Sequence, residues 1–445
     1  MSIKGTRVLV DGYNIQMAQG TGIKTYGLTL INALQGLGAD VSVLFGRPAP
    51  ETQNPILDEV LFFDTDEILL KLLEKPRPIR ILNILADLLS TLGGTTYSAT
   101  PINTKAGVVY NAPIQGSLIG ALLNLVETTN FLNIPDCYSR ANALFKLFGT
   151  NAKVTVPEKF DIFHATYTIP VEVKGTKKIT TIHDLIPLRL PSTTLDNKKI
   201  FYKMVEKSIK ESAAIITVSE NSRQDILKIF DTDPQKIFVT YQPVNPTPST
   251  ASEEGLEGSL KKFRLSPQEY ILFVGAIEPK KNVGRLIDAY AQLDTNLKLV
   301  IVGKRGWMWE DEIGKIDQIF SKQKALKQTR LLDYVSYGDL KNLYAGAFCF
   351  CFPSLYEGFG LPPLEAMAHG CPVITSNISS LPEVCGDAAL YVNPYDEQDI
   401  GAKLSMLINE PARRAAMIEK GYEQVKKFDV ANYQQRLSQV YESVL

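Results

Sequence analysis

At 445 residues the chain exceeds what one hydrophobic core sustains and is long enough for two domains of about 200 residues each. Its 47 Lys and Arg against 48 Asp and Glu give a formal net charge of -1, so nothing global points to nucleic acid or another polyanion. The five cysteines are an odd number, with Cys349 and Cys351 alternating in an apolar run as buried strand thiols do, and they fit a reducing cytoplasm.

From the N-terminus, RVLVDG (Arg7 to Gly12) reads as a buried strand. QGTGIKTYGLTLINALQGLG follows as a Gly-rich turn into an amphipathic helix, and ADVSVLF (Ala39 to Phe45) as a second strand. That order begins a parallel sheet with right-handed crossovers. The pattern resumes at Asp161 to Thr166, Lys178 to Asp184, Ala214 to Ser219 and Lys236 to Tyr241, completing a first α/β domain over residues 1–245. Between them, about 55–156 reads as an atypical helical region, apolar with Lys71, Lys75, Arg77 and Arg80 spaced through it. It is either a core helix pair broken by Pro76 and Pro78 or a basic face for peripheral membrane contact. No signal peptide precedes the first strand, and no run reaches the ~18 apolar residues of a membrane span, so a soluble or peripheral protein is expected.

The run from Gln242 to Ser259, rich in Pro, Ser, Thr, Gly and Glu, reads as an interdomain linker, bounded at 246–265. Six further strands are expected at Tyr270 to Ala276, Leu297 to Gly303, Arg330 to Val335, Ala347 to Ser354, Pro372 to Asn377 and Ala389 to Pro394. Helical segments separate them, so residues 266–428 form a second doubly wound domain. Two such α/β domains leave a cleft between the carboxyl ends of their strands, where ligands of open sheets bind.

The chemistry concentrates in EGFGLPPLEAMAHG. Glu357 and Glu365 stand with seven residues between them around two glycines and two prolines. Paired carboxylates serve glycoside hydrolysis, metal binding or sugar-hydroxyl recognition. Pro362 and Pro363 suit a first helical turn, so the amides of Gly358, Phe359, Gly360 and Leu361 form a helix start that attracts phosphate. Glu365 then lies about one turn inside the helix and Glu357 on the approach, placed to bracket a ligand and accept hydroxyls of a ribose or hexose. In GAIEPKKNVGRLIDAYAQL, Lys280 and Lys281 precede a helix at a strand's carboxyl end and should face the same cleft, fitting a diphosphate that gains charge as it leaves. In the first domain TTIHDLIPLRLP ends a strand with His183 and Asp184, His183 being placed to hydrogen-bond a sugar and Asp184 lying on the acceptor side. His164, at a similar strand end, ranks below it. Gly20 and Gly22 offer a second approach for phosphate or acceptor, without the full dinucleotide fingerprint. Two Asp-Thr-Asp runs, at Asp64 to Asp66 and Asp231 to Asp233, make unconvincing metal clamps, and metal-independent chemistry without a cofactor is expected.

The run FPSLYEGFGLPPLEAMAHGCPVITSNISSLPEVCGDAALYVNPYD resembles the signature of the retaining family 4 glycosyltransferases, whose E-x7-E motif Glu357 and Glu365 match. ITVSENSRQDIL, IEPKKNVGRLI, LVIVGKRGW and TTIHDLIPLRLP match in the family's order, from about Asp161 to the C-terminus. The resemblance implies the GT-B fold, two Rossmann-like domains with residues 429–445 as a helix crossing back to the first. It implies that Glu365 holds ribose hydroxyls, Glu357 and the Gly358 to Leu361 amides the donor sugar and diphosphate, and Lys281, beside Lys280, the diphosphate. His183 would contact the donor sugar, Gly22 would line the phosphate and acceptor side, and the base would sit near Tyr334 and Val335. The sequence departs from the family at Lys280, often arginine, in the 55–156 region, and in FDVANY, which lacks a common tryptophan. The resemblance further implies a mannosyltransferase-like subgroup of bacterial cell-surface polysaccharide synthesis, acting on a glycan or lipid-linked saccharide at the inner face of the plasma membrane. GDP-mannose is the first expected donor and a UDP-sugar the alternative. A GT-B-fold epimerase or hydrolase and a non-catalytic glycan-binding protein are the rivals on the same architecture.

Overall fold

Strands form where β-branched and aromatic residues run continuously, because both faces of a parallel sheet are covered by helices. The computed structural model describes residues 3–17, 22–49, 54–64, 96–102, 125, 128–244, 253–320, 329–333 and 335–445. The first-domain strands are β1 Arg7–Asp11, β2 Asp40–Phe45, β3 Tyr97–Ser98, β4 Thr100–Ile102, β5 Asn130–Asn133, β6 Ala152–Thr155, β7 Ile162–Ala165, β8 Val171–Val173, β9 Lys177–Thr181, β10 Ala214–Thr217 and β11 Ile237–Val239. Eight of them form one sheet in the order β11-β10-β9-β7-β1-β2-β5-β4, parallel except where β4 meets β5. The remaining three form a small sheet, β3-β6-β8. In the second domain β12 Tyr270–Val274, β13 Lys298–Val302, β14 Thr329–Leu332, β15 Cys349–Phe352, β16 Val373–Ser376 and β17 Ala389–Val392 form an all-parallel sheet, β14-β13-β12-β15-β16-β17.

The region expected to be helical over about 55–156 differs from that expectation. A helix, Pro55–Asp64, opens it, but β3 to β6 and the Cys137–Phe148 helix follow. These strands are two to four residues long, and β5 is flanked by asparagines, too short for periodicity to register. Lys71, Lys75, Arg77, Arg80, Pro76 and Pro78 lie outside the described residues, and with them both readings of that stretch. The expected linker also holds structure: Glu253–Lys261 is a helix. Its Leu260 is fully buried, and its Ser259 hydroxyl donates to Asp339 Oδ1 at 2.8 Å. Leu256 and Leu260, four apart, make one apolar stripe that the surrounding Ser, Thr and Pro count had masked. Among the described residues no helix is long and apolar enough to cross a membrane.

The chain passes between the domains twice, side by side. Val244 N donates to Phe428 O at 2.9 Å, and the rings of Tyr241, Phe359 and Phe428 meet there, Tyr241 and Phe428 edge-on at 5.5 Å. The Val430–Val444 helix then packs on the first domain: Gln434 Nε2 donates to Ala33 O at 3.1 Å and Lys177 Nζ to Val444 O at 2.6 Å. Tyr441 OH lies 2.6 Å from His164 Nδ1, whose Nε2 lies 2.8 Å from Thr181 Oγ1. Both ring nitrogens are thus spent inside the core, and burial pushes the imidazole down to about 3. His164 thus links the Val430–Val444 helix to the first-domain sheet.

One buried amide shapes the second domain around the expected lysines. Asn282 sits in the left-handed region (φ 60) between the Pro279–Lys281 turn and the Val283–Ala291 helix. Its Nδ2 donates to Pro353 O at 2.8 Å and Pro394 O at 2.7 Å, tying together the loops that follow β15 and β17. Asn282→Ala leaves both buried carbonyls unpaired and places a Cβ residue at positive φ without the asparagine's compensation. Guanidinium unfolding should show a loss of about 3 kcal/mol, from these two terms together.

Candidate functional site

The approach to the Leu361–Ala368 helix is shaped by two glycines. Gly360 has φ 116, and a Cβ there would lie 2.9 Å from Leu381. A Cβ on Gly358 would lie 2.7 Å from His183 O and 2.9 Å from Asp184 Cβ, so only glycine lets this turn touch the first domain. Pro362 and Pro363 fall in the first turn, where a missing N-H costs nothing. Ser379 and Ser380 brace the turn from behind: Glu357 N donates to Ser379 Oγ at 3.2 Å, and Ser380 Oγ lies 2.6 Å from Phe359 O and 3.0 Å from Glu357 O.

Lys281 reaches this turn. Its Nζ donates to Glu357 Oε1 at 2.6 Å, with only 15% and 11% of the two side chains exposed, and it stands 5.2 Å above the centre of the Phe352 ring. Lys280 Nζ pairs with Glu278 Oε1 at 3.1 Å. Burial would lower the Lys280 ammonium, but Glu278, Glu357 and Asp184 together raise it, so it stays charged. Asp184, from the first domain, is raised by burial, opposed by the Ile186 amide that donates to it at 2.9 Å and by Lys280 and Lys281. Two ammonium groups and three carboxylates, Glu278, Glu357 and Asp184, thus meet at the carboxyl ends of strands from both domains, beside the Gly358 to Leu361 turn.

His183 is 7% exposed, with Tyr26 edge-on at 4.7 Å. Its Nε2 lies 2.9 Å from Thr166 O, a group that can only accept, so Nε2 carries the proton and Nδ1 keeps its lone pair. Burial lowers this imidazole to about 4, leaving it neutral near pH 7. A neutral ring can hydrogen-bond a hydroxyl but brings no cationic charge.

Glu365 occupies a separate part of the cleft. A cavity of about 310 Å³ lies between Thr25, Thr29 and Asn32 of the Gly22–Gly36 helix and Tyr337, Lys341 and Glu365 of the second domain. Glu365 Oε2 accepts from Tyr344 OH at 3.2 Å, and burial raises its carboxyl to about 7. Gly22 opens the first-domain helix, exposed, with nothing within 4 Å of a Cβ placed on it. Val335 packs against the core next to the Tyr337–Gly346 helix. Gly20 and Tyr334 lie outside the described residues. Asp233 caps the Pro234–Lys236 turn by accepting from Gln235 N at 2.9 Å, the turn chemistry expected of the second Asp-Thr-Asp run. In the first run Asp64 ends the Pro55–Asp64 helix, and Thr65 and Asp66 lie outside the described residues. Among the described residues no three His, Cys, Asp or Glu side chains gather as metal ligands would.

Sequence reasoning missed Asn282, the bracing serines Ser379 and Ser380, and the first-domain wall formed by Thr25, Thr29 and Asn32. The three wall residues lie at helical spacing on one face of a helix read only as amphipathic, a signal that was available in the sequence.

Residues 123–247 match the family model described as Glycosyltransferase Family 4, and residues 259–424 the one described as Glycosyl transferases group 1. Over 261 residues the chain is 35% identical to O-antigen chain mannosyltransferase B of Escherichia coli, covering 58% of this chain and 68% of that protein. Over 233 residues it is 33% identical to O-antigen chain mannosyltransferase RfbU of Salmonella typhimurium, covering 52% of this chain and 60%, under two thirds, of that one. In fold it is similar to Anabaena Alr3699/HepE, solved in complex with UDP and glucose (TM-score 0.66, 12% identity, 98% of this chain and 100% of that one). Sucrose-phosphate synthase from Thermosynechococcus elongatus is similar too (TM-score 0.66, 15% identity, 98% of each chain). These likenesses make the two-domain arrangement the GT-B fold. With the two models on its two domains and a relative of which it spans 68%, the chain belongs to glycosyltransferase family 4.

Proposed function

We propose that this glycosyltransferase moves a mannosyl group from GDP-mannose to a glycan or lipid-linked saccharide in cell-surface polysaccharide synthesis, with retention at the anomeric carbon and without a metal ion. The relatives named above supply the sugar and the setting. The observation that carries the site is the pairing of Lys281 with Glu357 at the start of the Gly358 to Leu361 turn. A helix start and an ammonium group together favour a group whose negative charge grows as a bond breaks, such as a departing diphosphate. Lys280, kept charged by its acidic neighbours, adds to that field, so the protein's own cations take the part a divalent ion would otherwise play.

In the reaction we infer, the acceptor oxygen approaches the anomeric carbon on the face the diphosphate leaves. The bond from that carbon to the phosphate oxygen breaks with its electron pair staying on oxygen, the new carbon–oxygen bond forms, and the departing phosphate oxygen takes the acceptor's proton. Glu357 and neutral His183 hold sugar hydroxyls, Asp184 and the Gly22 side face the acceptor, and Glu365 takes the ribose hydroxyls with the base toward Val335. The enzyme works in the cytoplasm, at the membrane face where a lipid-linked acceptor is presented.

Lys281→Ala and Glu357→Gln should each lower transfer by about 10²–10³-fold with far-UV circular dichroism unchanged. Wild-type turnover in both would remove these roles. Thermal stabilisation by GDP-mannose but not UDP-glucose checks the donor, because a ligand of the native state raises its melting temperature. Glu365 adds a pH dependence of known sign. Its ionised form accepts ribose hydroxyls, so nucleotide affinity measured by calorimetry should fall as pH drops below about 7. Its folded-state pKa is raised above the ordinary 4.5, so its contribution to stability is full below 4.5 and lost as pH rises through about 7. Glu365→Gln should therefore raise the melting temperature at pH 8 while weakening nucleotide binding.

A further inference from the structure

The Gly358 turn is held from the first domain as well as from its own. The Glu220–Ile229 helix begins at Ser219, whose hydroxyl accepts from Ser222 N at 3.0 Å and donates to Gly358 O at 2.6 Å. The Ser222 hydroxyl donates to His183 O at 2.9 Å and lies 3.2 Å from Gly358 O. Each hydroxyl has one hydrogen, so the assignment closes: Ser219 serves the second-domain carbonyl and Ser222 the first-domain one. Ser219 and Ser222 are fully buried, where a hydroxyl facing carbonyl oxygens is fixed in direction.

The start of this helix is itself gripped from the second domain. Glu383, in the Leu381–Cys385 helix, accepts from Glu220 N at 2.7 Å and from Asn221 N at 3.1 Å, one carboxylate oxygen to each amide. Asn221 Nδ2 donates to Tyr356 OH at 2.8 Å, and that hydroxyl donates to Asp225. Bonds therefore run both ways across the domain boundary, close to where the chain crosses it at Tyr241 and Phe428.

We propose that Ser219, Ser222 and Glu383 form an interdomain clasp of positioning residues that sets His183 and Glu357 in register across the cleft. None of the three needs to touch substrate. The clasp fixes the carbonyls of His183 and Gly358, and through them the peptide planes on which the imidazole and the Glu357 carboxylate are mounted. A displacement there misaligns two groups whose spacing decides the reaction, without altering the cavity around Glu365 that holds the nucleoside. The clasp rests on the roles proposed above for His183 and Glu357.

Ser222→Ala removes the bond to His183 O and keeps the Ser219 cap; Glu383→Gln replaces one accepting oxygen by an NH2 group that faces a backbone N–H donor; Ser222→Thr keeps the hydroxyl. With GDP-mannose as probe and GDP release as readout, Ser222→Ala and Glu383→Gln should lose roughly ten- to hundred-fold in kcat while KM stays within about two-fold. Ser222→Thr should recover most of the loss. Without any nucleotide, amide hydrogen exchange should accelerate around 183–185 in Ser222→Ala and at Glu220 and Asn221 in Glu383→Gln, and not in the rest of either domain. Wild-type kcat together with wild-type exchange would overturn the clasp, and so would a rise in KM that merely tracks a fall in melting temperature. Should GDP-mannose prove inert, the exchange measurement decides alone. Glu357→Gln separates the two readings: if it is inactive while Ser222→Ala is normal, the clasp alone fails, and if it is fully active the site reading fails first.

Discussion

The absence of a side chain at Gly358 is what lets one site be built from two domains. His183 O and Asp184 press so close to this residue that a methyl group would overlap them. Because the main chain itself makes the contact, the acids and lysines of the second domain come within reach of Asp184, and the carbonyl of Gly358 within reach of Ser219. The elements that deliver these groups are distant in sequence and share only the habit of ending a parallel strand at the cleft. The fold supplies that convergence, since strands of a doubly wound sheet all point their carboxyl ends the same way.

Charge is concentrated there at a cost. Lys281 and Glu357 are nearly buried, Glu278 holds Lys280, and Asp184 is raised by the same desolvation that strengthens every interaction around it. Replacing such a cluster by packed hydrophobic residues often costs no stability, which supports the proposed use of the ionic arrangement as preorganisation for a charged ligand. Glu365 carries the same signature in isolation, a carboxyl at the wall of a cavity with a tyrosine hydroxyl as its partner. Burial leaves Glu365 partly protonated near pH 7, so a change in its surroundings can shift its charge.

Much of this was legible because it rests on local rules. Twelve strands were read from apolar runs, and the helix start at Leu361 from paired prolines and glycines. The Glu357, Lys281 and Glu365 placements followed from strand ends and helix turns. What escaped was nonlocal or short. Asn282 looks like any loop asparagine until the two carbonyls it binds, dozens of residues away, are brought to it. Strands β3 to β6 are too brief to show a period, and the helix Glu253–Lys261 was hidden by the company its two leucines keep. His164 shows the opposite hazard: a strand-end histidine that resembles a ligand-binding one but spends both nitrogens on Tyr441 and Thr181.

That last contact also orders events in biosynthesis. Tyr441 belongs to a segment made after the whole second domain, yet it closes the interior of the first. During vectorial synthesis the early half must wait with its histidine and the face of the Gly22–Gly36 helix uncovered. Maturation of the amino-terminal lobe is therefore tied to the arrival of the Val430–Val444 segment from the ribosome, and a nascent chain stalled before that point carries an unfinished core.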